Sequence, residues 1–273
     1  MERLKPGLKP PIILKLGGSV VTFKDRIENP NLQAIRRLSL EIAEARPRSL
    51  LLIHGGGSFG HPHAQAYRLT SGFKGGSLQL LGVSRTREAM LRLNSLIVES
   101  LNLVGVPALG LQTSALATTR SGRISSLDLR PILGVLRLGG VPVLFGDVVM
   151  DLEDGFSILS GDRLSTELAL RLGSHLLILG VDVDGVFTGD PKTDPKAKLV
   201  RRLRVGGKAF KAFLAGVKGS KTVDVTGGMR YKILEVARFA SKGGRVLVVN
   251  ALKPGVVAEA LRGRKVEGTL LTA

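Results

Sequence analysis

The sequence predicts a doubly wound α/β fold, a parallel sheet with helices on both faces. Short apolar, β-branched runs recur along all 273 residues. Each is bounded by Gly, Pro or polar residues, as strands buried on both faces are. Amphipathic stretches with apolar residues three and four apart separate the runs. The 35 glycines gather at turns, several of them directly after a run.

Taken in order, "PIILKL" (11–16) is the first strand. A helix follows in 30–45, where Leu32, Ile35, Leu38 and Ile42 form one face and Pro30 stands near the start. "SLLLIH" (49–54) is the second strand. The long amphipathic stretch 78–103 is helical. Its Leu81, Val83, Met90 and Leu93 fit a core face more readily than the wall of an apolar pocket. "VPAL" (106–109) and "VPVLFG" (141–146) are further strands. In "DVVMDLEDGFSIL" (147–159) an Asp-Gly pair separates two short runs, which predicts a β-hairpin. A helix over 162–173, the strand "LLILGV" (176–181), a helix over 226–241 and the strand "RVLVVN" (245–250) complete the alternation. Segment 182–225, rich in Lys, Gly and Pro, reads as loops with one short helix. No repeat or low-complexity linker divides the chain, so residues 1–273 are read as one domain.

Composition narrows the function. A hydrophobic content of 44% argues against disorder. The absence of cysteine excludes disulfides, thiol catalysis and Cys-ligated metals. The basic start "MERLKPGLKPP" lacks the apolar stretch of a signal peptide. No apolar run reaches the ~18 residues of a membrane helix. A soluble cytoplasmic protein is expected. The net charge is +18, from 40 Lys and Arg against 22 Asp and Glu. Such a field attracts phosphorylated small molecules, nucleic acid or acidic membranes. The cations are spread along the chain and aromatics are only 4%, which disfavours a nucleic-acid partner. A solvated basic surface or adaptation to heat would give the same balance.

In open α/β sheets ligands bind beyond the carboxyl ends of the strands. After the first strand comes "KLGGS", in which Gly17 and Gly18 let backbone N–H groups form an anion nest beside Lys15. Alone it is no more than a tight turn. After the second strand, "HGGGSFGH" offers a second nest at Gly55, Gly56 and Gly57, with a helix start close behind. Two such nests in one sheet could hold two phosphates facing each other. His61 stands where it could donate to a phosphate oxygen, or be an ordinary surface histidine. His54 reads as structural, and His63 and His175 have no assigned role. In "SGDRLS", Asp162 is either a helix N-cap or a carboxylate that holds lysines. In "VDVDGVFTGDP", Asp182, Asp184 and Asp190 lack the full EF-hand spacing and serve equally well as a nucleotide-binding turn. "VTGGMRYK" gives Thr226 as a cap, a third glycine turn at Gly227 and Gly228, and Lys232 one helical turn later. No Ser-His-Asp set, HExxH or paired His ligands occur. Glycine turns and lysines are equipment for phosphoryl transfer, in which catalysis is mostly positioning and charge stabilisation.

In this order the motifs resemble those of the amino acid kinase superfamily. "HGGGSFGHP" is most similar to the isopentenyl phosphate kinases, with fosfomycin kinase a near relative. The resemblance spans nearly the whole chain. It implies an αβα sandwich with a mainly parallel open central sheet, a homodimer, and transfer of a phosphoryl group from ATP to isopentenyl phosphate with Mg²⁺. It implies an acceptor-binding half (1–160) and a nucleotide-binding half (161–273). Lys15, Leu16, Gly17, Gly18, Ser19 and Gly57 would contact ATP. Asp182, Asp184, Gly185 and Gly189 would border the nucleotide, and Gly228 and Lys232 would complete its site. Gly56, His61 and Gly161 would meet the acceptor. Lys15, Lys24, His61, Asp162 and Lys232 would be catalytic, with Asp162 orienting the lysines and no protein ligand to metal. The rival readings are another small-molecule kinase of this fold and a nucleotide- or nucleic-acid-binding regulator without turnover.

Overall fold

The first apolar run folds as strand β1 (Ile12–Leu16) and ends at once in the glycine turn, which starts the short helix α1 (Gly18–Val21). A computed structural model describes residues 9–216 and 228–273. Helix α2 (Leu32–Ala45) is capped by Asn31, whose side chain accepts the Ala34 N–H. Then come β2 (Leu50–His54), α3 (Gly57–Ala66) and the long α4 (Ser77–Leu103). Within α4, Val83, Met90 and Leu93 are buried in the core while Leu81 is exposed. The core reading therefore holds for three of the four.

Strand β3 (Ala108–Gly110), helix α5 (Thr113–Leu116), strands β4 (Ala117–Arg120) and β5 (Arg123–Leu127) and helix α6 (Arg130–Arg137) follow. Strand β6 (Val141–Phe145) precedes the hairpin of β7 (Asp147–Asp151) and β8 (Gly155–Leu159), which matches the Asp-Gly signal. The hairpin turn is fastened by Asp151, whose carboxylate accepts N–H groups from Ser121, Gly122, Glu153 and Asp154.

The last third holds α7 (Gly161–Arg171), β9 (Leu176–Val181), β10 (Arg202–Arg204), α8 (Gly207–Gly216), α9 (Gly228–Ala240), β11 (Arg245–Asn250), α10 (Val256–Leu261) and β12 (Thr269–Thr272). The segment expected to be loops with one helix thus also contains a strand, β10, which pairs with β12. The proposed cap Thr226 and Gly227 lie outside the described residues.

Two sheets form. The larger has the order β10-β12-β11-β9-β1-β2-β6-β3, with β12 antiparallel to β11 and the rest parallel. The smaller has the order β5-β4-β7-β8. Two cores flank the large sheet. One joins it to α6, α7, α8 and α9, and the other to α2, α4 and α10. This is the expected αβα sandwich with a mainly parallel open sheet. Chain order reverses around β1, which lies between β2 and β9, so a crevice opens at their carboxyl ends. Among the described residues no helix is long and apolar enough to cross a membrane.

Candidate active site

At that crevice the two glycine loops touch backbone to backbone. A Cβ placed on Gly18 would stand 2.3 Å from the Gly57 nitrogen, and one on Gly57 would stand 2.0 Å from Thr22 Oγ1. Gly57 also has φ +48, in the left-handed region that glycine enters freely. Only the absence of side chains lets the ends of β1 and β2 approach this closely. Gly17 donates its N–H to the Gly180 carbonyl at 2.8 Å, so any phosphate contact it makes is not through that N–H. Leu16 turns its side chain into the core, and its carbonyl accepts the Gly55 N–H at 2.9 Å.

The charged centre is three residues from three elements. Lys15 leaves β1 and is buried. Its Nζ lies 2.7 Å from Asp162 Oδ1, and Lys232 Nζ on α9 lies 2.9 Å from Asp162 Oδ2. Asp162 is not the cap of α7. Ser160 is, its hydroxyl accepting the Arg163 N–H at 3.2 Å. That leaves the Asp162 carboxylate in the first turn to face both lysines. Burial works to raise the Asp162 carboxyl, but the Lys15 and Lys232 ammoniums outweigh it and hold it well below the usual carboxylate range. Burial lowers Lys15 to about 8, against the attraction of Asp162, and Lys232 pushes the same way as burial. Gly161 sits against this group; a Cβ there would stand 3.4 Å from Lys15 Cε. Two cations around one anion leave a net positive, partly desolvated corner beside the glycine loops, a setting suited to phosphate.

Helix α3 carries His61, half-buried one turn beyond Gly57. Pro62 sits inside this helix. Having no N–H, it frees the Ser58 carbonyl four residues earlier. That carbonyl accepts the Glu28 N–H at 2.9 Å, and Ser58 Oγ accepts the Asn29 N–H at 3.1 Å. The loop that carries Lys24 is thereby tied to the start of α3. His63 completes the tie, with Nε2 2.9 Å from Glu28 Oε1, while Arg92 binds both Glu28 oxygens at 3.0 and 2.8 Å. This gives His63 the role that the sequence left open. Lys24 itself is exposed and makes no ion pair among the described residues. His54 is structural as expected. It is fully buried, bonded to Asn94, stacked on Phe145 and lowered to about 4 by burial, hence neutral.

On the β9 side, the Asp182 carboxylate accepts a hydrogen bond from Lys192; burial works to raise its pKa, but Lys192, with a small contribution from the Ser19 hydroxyl, holds it below the usual carboxylate value. This joins two residues predicted at the nucleotide. Asp184 pairs with Lys253 at 2.6 Å and with Asn250 Nδ2 at 2.9 Å. Gly185 packs against Thr269 and Gly189 against Asp194. Asp190 organises its own turn by accepting the Lys192 N–H. Gly228 begins α9 and brings Lys232 to Asp162.

Sequence reasoning missed Arg163. It reaches from α7 to Glu235 Oε1 at 2.7 Å and to the Tyr231 hydroxyl at 2.7 Å, and also to the Gly122 carbonyl. It therefore fixes α9, and with it Lys232, against α7 and the small sheet. Its position next to Asp162 was the one available signal.

A model described as the Amino acid kinase family matches residues 10–250. The chain is 42% identical to the isopentenyl phosphate kinase of Methanothermobacter thermautotrophicus over 270 residues, 96% of this chain and 98% of that one. It is 33% identical to the isopentenyl phosphate kinase of Methanocaldococcus jannaschii, covering 94% of this chain and 96% of that one. A solved isopentenyl phosphate kinase structure superposes with a TM-score of 0.83 at 38% identity, over 96% of this chain and 99% of the other. With the paired glycine loops and the lysine–aspartate–lysine centre in place, the chain belongs to the amino acid kinase family.

Proposed function

We propose that this protein transfers the γ-phosphoryl group of ATP to isopentenyl phosphate, giving isopentenyl diphosphate and ADP. The observation that carries the reading is the Lys15–Asp162–Lys232 centre beside the Gly18–Gly57 contact. Likeness to isopentenyl phosphate kinases over nearly the whole chain supports the choice of acceptor. On this reading the half up to residue 160 holds the acceptor, and the half from 161 onwards holds the nucleotide.

An oxygen of the acceptor phosphate attacks the γ-phosphorus; the new P–O bond forms as the bond to the β-phosphate oxygen breaks and ADP leaves. The second pKa of a phosphate monoester is about 6, so the nucleophile is already anionic near neutral pH and needs no strong base. The obstacle is the approach of two polyanions. Lys15 and Lys232 offset that repulsion and the charge on the transferring group. Asp162 keeps both ammoniums aimed at one place, and its two ion pairs limit their rotation. Lys24 adds a third cation from the tethered loop. His61 on α3 orients the acceptor phosphate, with Gly56 and Gly57 between the two phosphates. Mg²⁺ is the expected companion of ATP. Among the described residues no group of three His, Asp or Glu is arranged to hold a metal, so no protein ligands to it are assigned. A homodimer is part of the same reading, and exposed Leu103, Leu109 and Leu138 near edge strand β3 are suited to it.

Steady-state ADP release with isopentenyl phosphate, dimethylallyl phosphate and fosfomycin side by side tests the reading. The highest kcat/KM is expected with isopentenyl phosphate. A preference for fosfomycin, or no turnover of any of the three, would overturn it.

A further inference from the structure

At the other end of the large sheet lies a cavity of about 750 Å³ that the reaction has no use for. It opens where Ile12 begins β1 and Leu176 begins β9, while the reaction centre sits past the last residues of the same strands. Five rises along β9 separate the two ends by about 16 Å.

The register explains how the cavity forms. Arg202, Leu270, Leu247 and Ile178 stand in one row across β10, β12, β11 and β9. Their neighbours Leu203, Leu271, Val246 and Val248 point to the opposite face, into the core under α7, α8 and α9. On the cavity face the only helix among the described elements that packs on this part of the sheet is α10, six residues long. Leu247 and Leu270 are left half-covered as an apolar floor, and Val266 adds a wall.

The rim is cationic. Arg201, Arg202, Arg245, Arg262, Arg264 and Lys265 all line the cavity, and all six are exposed. Arg262 and Arg264 share a single carboxylate, Glu259. Among the described residues Arg201, Arg202, Arg245 and Lys265 have no carboxylate partner. Four uncompensated cations around one concavity repel one another, and the arrangement is relieved by an anion. Arg201 and Arg202 also belong to segment 182–225, where the catalytic motifs assign no role beyond Gly189. A floor of leucines under a rim of guanidiniums matches one ligand chemistry, a phosphate group carrying a hydrocarbon chain. Guanidinium forks suit phosphate oxygens, and the leucines suit the chain.

We propose that this cavity is a second binding site, distinct from the reaction centre, for a free phosphate or diphosphate ester with an apolar chain. The test is calorimetric titration of the full chain with n-decyl phosphate below its micellar concentration, in the presence of saturating isopentenyl phosphate. Wild type is expected to take up one equivalent at the cavity. Arg202→Glu/Arg245→Glu is expected to bind at least about tenfold more weakly, since charge-assisted contacts turn into repulsion. Its kcat on isopentenyl phosphate should be unchanged. If the glutamate pair lowers the melting temperature, Arg202→Gln/Arg245→Gln repeats the comparison. Unchanged affinity in the variants would overturn the proposal. So would binding to phosphatidylglycerol vesicles without binding of the soluble ester, which would make the face a membrane contact. Should isopentenyl phosphate prove not to be turned over, the reading of the reaction fails alone, because the charge-reversal comparison does not depend on it.

Discussion

Asp162→Asn removes one charge and almost no volume, and it isolates what the central carboxylate does. In the native protein its oxygens lie 2.7 Å from Lys15 Nζ and 2.9 Å from Lys232 Nζ. Unit charges about 4 Å apart interact by about 4 kcal/mol at an effective dielectric of about 20. Removing one member of a buried pair generally costs about 3–5 kcal/mol, because the remaining charge stays buried. For a chain this long that corresponds to a fall in melting temperature of roughly 10 °C. The second effect is on Lys15. Burial already brings it to about 8, with Asp162 opposing the fall. Without the carboxylate, burial and Lys232 act unopposed, and Lys15 gives up its proton at lower pH than in the native protein. Losing a cation aimed at the transferred group lowers kcat by about 10²–10³. The pH profile separates this from simple damage. In wild type, kcat/KM should fall as pH rises through about 8. In Asp162→Asn the fall should move to lower pH, and activity should partly return on acidification. ADP release from pH 5.5 to 9, with thermal unfolding alongside, measures both effects. A variant with unchanged melting temperature and an unmoved profile would refute the reasoning. The linkage has a definite sign: the folded-state pKa of Asp162 is depressed, so its stabilisation is present above the ordinary carboxylate value and is lost as pH falls below it.

His61→Ala should raise the KM for the phosphate acceptor or lower kcat sharply, with little change in melting temperature; near-wild-type kinetics would remove His61 from the site. Gly18→Ala should lower both stability and turnover, because its Cβ would meet backbone of Gly57 at 2.3 Å, with no flexible side chain to give way. A melting temperature within about a degree of wild type would show that the two loops can part, contrary to the geometry described.

The strands and the long helices were legible in sequence because local physics fixes them. Continuous apolar runs such as "LLILGV" are buried on both faces, and 32–45 carries an apolar face of Ile35, Leu38 and Ile42, although Leu32, read as part of that face, is exposed in the first turn. Glycine after a strand marked the crevice, since close backbone approach has few other solutions. The β7–β8 hairpin of the small sheet was legible from its Asp-Gly pair, but strands β4, β5 and β10 were not. All three are short and partly polar: β4 and β5 pair with each other across the Ser121-Gly122 turn, and β10 is held by the distant strand β12. Asp162 shows the same division at the site. Its sequence context, "SGDRLS", allowed either a helix cap or a charge partner. Only the fold decided, by giving the cap to Ser160 and placing lysines from β1 and α9 at the carboxylate. Ion pairing falls off over a few ångströms, and residues 15, 162 and 232 come within that range only through tertiary packing.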